Sequence, residues 1–168
     1  MRLNIKEISK IALLTAVALI LFVVEAQIPA PIPVPGVKLG LANVVTLFAI
    51  FSIGRKKAVI VLLLRIVLGS LITGQVAAMG FSLAGGALCY IVMCVVRRFV
   101  TERQIWVVSV FGAIGHNLGQ LAVAAFVVGT ASVFLYLPIL LVSGILTGLF
   151  TGLSAQYLYK HLKKLNIM

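Results

Sequence analysis

Six apolar runs alternate with short polar breaks along the chain. They cover residues 8–28, 39–54, 58–73, 76–96, 105–129 and 133–159. Such runs predict helices that are apolar on every face. A helix needs about 20 residues to cross the hydrocarbon of a bilayer. The first, fourth, fifth and sixth runs have that length. The second and third are shorter, so they are curved, sheltered by neighbours or continued by flanking residues. The expectation is an all-α integral membrane bundle of six transmembrane helices. It forms one domain over residues 1–168, with an outer Pro-rich loop at about 29–38. Ala26-Gln27-Ile28 is not a small-x-small cleavage site, so the first run is expected to stay as a helix.

Composition removes the soluble alternatives. Hydrophobic residues make up 62% of the 168, and the mean hydropathy is +1.24. A soluble domain is closer to half apolar, so lipid must solvate most of this chain. Charge is lopsided, with 14 Lys+Arg against 3 acids. In a soluble protein a net charge of +11 would suggest nucleic acid. Here the cations sit in short clusters between apolar runs, so no nucleic-acid partner is expected. Arg2, Lys6 and Lys10 precede the first run, and Arg55, Lys56 and Lys57 join the second and third. Arg97, Arg98 and Arg103 join the fourth and fifth, and Lys160, Lys163 and Lys164 follow the sixth. With six crossings all of them fall on one side, and Lys38 alone lies in a loop on the other. That asymmetry predicts a multi-pass plasma-membrane protein with both termini cytoplasmic.

Residues 25–43 read EAQIPAPIPVPGVKLGLAN and then lie outside. Alternating prolines favour a stiff extended path. Two readings fit, a lid over a pocket or a rigid turn. On the first run Ala12 and Ala16 form a small-xxx-small pair that lets another helix approach. Glu25 lies about 220° round from Ala12 at 100° per residue. It is either an interfacial acid or part of a pocket. Arg65 lies about 12 Å above the Arg55-Lys56-Lys57 cluster at 1.5 Å per residue. An arginine at that depth faces a partner inside the protein. It forms a structural ion pair, for which Glu25 is one candidate, or an anion site, or both.

The fifth run contains G-A-I-G-H-N-L-G-Q. His116 and Gln120 are four apart and share a face. Asn117 is about 100° away, so the three polar side chains share one arc. They are a binding surface or hydrogen-bonding glue between helices. Asn43, Lys38, Gln27 and Gln75 extend the outer polar set. In the sixth run Gly144, Gly148 and Gly152 form a stripe for tight helix packing. Cys89 and Cys94 have neither redox nor zinc-knuckle spacing and read as packing residues. No aspartate occurs and no G-x-x-x-x-G-K-[ST] loop is present. A self-contained enzyme is therefore not expected, nor a metal or cofactor.

The stretches E-A-Q-I-P-A-P-I-P-V-P-G-V-K-L-G-L-A-N, R-I-V-L-G-S-L-I-T-G, F-S-L-A-G-G and G-A-I-G-H-N-L-G-Q resemble those of the Gx transporter family. That family is also labelled heptaprenyl diphosphate synthase component I. The resemblance runs from about residue 10 to 159. The family is in turn similar to the substrate-binding S components of energy-coupling-factor (ECF) transporters. That likeness implies six helices, an outward pocket, and a first helix that docks on a transmembrane coupling subunit served by two ATPases. By position it implies docking through Ala12 and Ala16. It also implies a pocket lined by polar residues of the second, third and fifth helices, with the outer loop as its lid. Without aspartates for metal-dependent prenyl chemistry, the synthase label would leave this chain as a membrane partner of such an enzyme.

The expectation is thus a substrate-binding subunit for uptake, with Glu25, Lys38, Asn43, Arg65, Gln75, His116, Asn117 and Gln120 as its binding set. Arg65 and His116 suit an anionic group, and apolar walls suit a vitamin-like or isoprenoid ligand. The rivals are a membrane partner of a prenyl diphosphate or quinone synthesis enzyme, and a stand-alone carrier.

Overall fold

A computed structural model describes residues 4–28 and 40–165. The expected loop at about 29–38, and Lys38 within it, lie outside the described residues. Six α-helices and no strand occur among the described residues. They are α1 (Ile5–Ala26), α2 (Asn43–Ser52), α3 (Arg55–Ile72), α4 (Met79–Val96), α5 (Ile105–Val128) and α6 (Leu137–Lys164). Short 3₁₀ turns precede α4, α5 and α6.

The all-α expectation holds, and four helices (α1, α4, α5 and α6) are long and apolar enough to cross a membrane. Length and composition support four of the six expected crossings. α2 has 10 residues, about 15 Å of helix, half of what a bilayer requires. Its start is delayed to Asn43 because Gly40 turns the chain at φ 77°, and it ends before Gly54 at φ 86°. These left-handed values favour glycine. The short helix is sheltered, with Val45, Thr46, Leu47, Ala49 and Ile50 all buried. α3 takes Arg55, Lys56 and Lys57 into its first turn, where sequence reading had placed a loop. Cations oppose the dipole there. Glu7 of α1 offsets this by pairing with Lys57.

α5 is the central element, packed along its length against α4 and α6. Glycines set the spacing. Gly144, Gly148 and Gly152 of α6 face α5, where a Cβ on Gly148 would lie 2.7 Å from Cα of Val110. Across the α4–α5 contact, a Cβ on Gly119 would lie 2.5 Å from the Ala84 carbonyl oxygen. Backbone cannot yield as a flexible side chain can, so Gly119→Ala should force α4 and α5 apart. We expect a loss of about 3 kcal/mol, at the upper end for overpacking, seen as a lower midpoint in thermal unfolding followed by helical circular dichroism. Large apolar side chains such as Leu13, Phe126, Leu135, Phe150 and Tyr157 cover the outside. These are the helices of a multi-pass membrane protein.

The basic clusters gather at one end of the bundle. There Lys57 meets Glu7, and Glu102 receives hydrogen bonds from Lys163 and, at 2.9 Å, from the Tyr159 hydroxyl. Glu25, Gly40 and Asn43 lie toward the opposite end.

Candidate functional site

Glu25 stands one residue before the end of α1 and is only 4% exposed. Its carboxylate accepts the backbone N–H of Gly40, and Oε2 lies 3.5 Å from the N–H of Ala42. Both amides belong to the turn that leads into α2, whose carbonyls at Gly40, Leu41 and Ala42 in turn accept the first-turn amides of Asn43, Val44 and Val45. An amide left without an acceptor in an apolar interior is costly. A carboxylate answers that need and also meets the positive end of the helix dipole. Glu25 is therefore a buried brace for the turn that enters α2 and not an acid among headgroups. At the other end Arg97 donates to the Ile50 carbonyl, with its guanidinium 4.7 Å from the centre of the Phe51 ring. Charges of the right sign hold both ends of this half-length helix.

The first side chain of α2 then points inward. Asn43 Oδ1 accepts from Arg65 Nη2 of α3 at 3.0 Å. The guanidinium carbon also lies 6.0 Å from the centre of the Phe22 ring of α1, within reach of a cation–π contact. Arg65 is 3% exposed. Its hydrogen-bond partner among the described residues is the Asn43 amide, which links it to the turn that Glu25 holds. Arg65 Nε has no hydrogen-bond partner among the described residues.

His116 comes from α5 and fills the space left by two glycines. A Cβ on Gly40 would lie 3.1 Å from its Cδ2, and one on Gly85 would lie 2.9 Å from its Nδ1. Gln120, one turn on, covers Gly85 beside it. Nδ1 adjoins the Gly85 backbone without hydrogen-bond geometry, and neither ring nitrogen has a partner among the described residues. Thr46, one turn beyond Asn43 on α2, has a buried hydroxyl with no partner there either. Gly86 closes the arrangement, its would-be Cβ 3.8 Å from Arg65 Nη2.

The structure thus brings Glu25, Asn43, Arg65, His116 and Gln120 together. It does not add Asn117. The 100° turn from His116 aims that side chain at α6, where Nδ2 donates to the Leu140 carbonyl at 2.7 Å beside Gly144. Asn117 is glue between helices. Gln75 is half-buried in the turn after α3, whose last residue, Ile72, is about 10 Å along the axis from Arg65. Ala12 and Ala16 are exposed on α1, away from its buried face of Ile11, Thr15, Ala18 and Phe22. Sequence reasoning passed over Thr46, Gly40 and Arg97. Gly85 was visible only as part of F-S-L-A-G-G.

The constellation offers fixed donors and one imidazole acceptor in an apolar shell, which suits holding a polar group. Comparison with known families agrees with the motifs. The family described as heptaprenyl diphosphate synthase component I matches residues 14–158. The chain belongs to that family. Its match takes in every residue of the cluster. No curated protein and no solved structure matches the chain.

Proposed function

We propose that this chain is the ligand-binding membrane subunit of a small-molecule uptake transporter and not itself an enzyme. One observation carries the reading. Arg65 Nε and both nitrogens of His116 are buried without partners among the described residues. Buried polar atoms are nearly always satisfied. Leaving several bare at one place is sensible when a ligand completes them. The ligand is small, with acceptor oxygens for Arg65 and an apolar remainder for the surrounding walls. Gln75 belongs to its approach and not to its first contacts. The basic end faces the cytoplasm by the positive-inside rule, which puts both termini there and the site toward the outside.

The chain carries no nucleotide-binding loop, so energy comes from a separate ATPase module. An ECF-type coupling subunit with two ATPases fits the exposed Ala12 and Ala16 on α1. Replacing both by leucine should leave ligand binding within about twofold and abolish co-purification with the coupling subunit, because small residues let helices approach closely. Affinity capture with quantitative mass spectrometry reads this. Undiminished co-purification of the double variant would remove the docking face.

A second reading has one observation in its favour, the family's description as a synthase component. On that reading the basic end holds a soluble prenyl diphosphate synthase and no ATPase is involved. Capture from the native membrane separates the two.

A further inference from the structure

A trough runs along the membrane-facing side between α1 and α6, with α2 as its floor. It consists of two adjoining cavities of about 330 Å³ and 210 Å³. Leu13, Phe48 and Leu162 line both, so the two are continuous. The larger cavity is almost wholly apolar. The smaller one ends at Lys10 and Ser52, at the basic end of the bundle. The trough exists because α2 has side chains but not the length to fill the gap between two much longer helices.

The cation at its mouth is not alone. Lys6 and Lys10 are four apart on α1, share a face, and are both exposed. The nearest acid in sequence, Glu7, is already bound by Lys57. Lys10 therefore stands at the mouth of an apolar channel, with Lys6 one turn beyond it on the same face and Glu7 engaged elsewhere.

We propose that the trough is a binding site for an anionic phospholipid of the leaflet at the basic end. One acyl chain lies along α2 against Phe48, and the phosphate sits between Lys6 and Lys10. The site is separate from the buried polar cluster and does not depend on the uptake reading.

The test uses fluorescence quenching in nanodiscs. Trp106 is the sole tryptophan, so Trp106→Phe with Phe48→Trp places the only reporter in the trough. Nanodiscs carry phosphatidylglycerol or phosphatidylcholine with brominated chains in increasing mole fraction. Half-quenching by phosphatidylglycerol is expected at a mole fraction at least roughly fivefold lower, the preference conferred by about one lysine near a charged headgroup. Lys6→Gln with Lys10→Gln should erase that preference and keep the residual quenching. Equal quenching by both lipids would reduce the trough to ordinary boundary contact and overturn the proposal. No quenching by either would overturn it too, in favour of a partner helix or a bound isoprenoid diphosphate. Leu158→Trp is the second reporter position should Phe48→Trp fail to fold, because Leu158 lines the same trough and is half exposed.

Discussion

Replacing Arg65 with alanine should abolish ligand binding while leaving the bundle folded. Arg65 supplies the one buried guanidinium of the cluster, and its Nε is unpartnered among the described residues. Truncating one partner of a buried, hydrogen-bonded charge contact typically costs 2–5 kcal/mol, so affinity should fall by about 30-fold or more. The fold should survive because two effects oppose each other. Asn43 Oδ1 loses its bond to Nη2, a penalty of about 1–3 kcal/mol. Removing a buried charge also removes its desolvation penalty. Arg65→Lys should bind poorly as well, since an ammonium lacks the planar fork. Calorimetric titration with the small molecule retained by the wild-type protein measures the first effect, and thermal unfolding the second. Normal binding by the alanine variant would mean that the polar cluster is not the ligand site.

Glu25→Ala should act on structure first and on binding second. Removing the carboxylate leaves the Gly40 and Ala42 amides without their acceptor at the start of α2. Charge-assisted hydrogen bonds of this kind contribute about 2–3 kcal/mol together. Faster hydrogen exchange is expected at the amides of residues 40–44, with the rest of the bundle unchanged. Asn43 would then hold Arg65 less firmly, so ligand affinity should fall also. Glu25→Gln keeps an acceptor and loses the charge, and should land between the two. Unaltered exchange at residues 40–44 would show that the start of α2 does not rely on Glu25.

Much of this was legible in the chain itself. Apolar runs located every helix, because a lipid-solvated helix leaves no ambiguity of period. Arg65 and His116 stood out because polar side chains inside such runs need a reason. Three things were hidden. Hydropathy does not report where a helix begins, so α2 looked longer than its 10 residues and the charges at its two ends were given no part in holding it. Glu25 and Arg97 are far from α2 in sequence, and only packing reveals that they hold its ends. The two readings of Asn117 stayed open because an arc on one helix says nothing of which neighbour faces each part of it. The turn that separates it from His116 carries it to α6. Small residues were partly readable. The Gly144–Gly148–Gly152 stripe announces close packing, whereas the need for Gly85 against His116 depends on a contact between α4 and α5.

The central claim is that this chain binds a small molecule and hands it to a powered partner. Native mass spectrometry of the complex, gently extracted from its own membranes, tests it most directly. A membrane coupling subunit, two ATPase masses and a retained small ligand are the expected result. A soluble prenyl synthase in their place, or the chain alone with nothing bound, would contradict it.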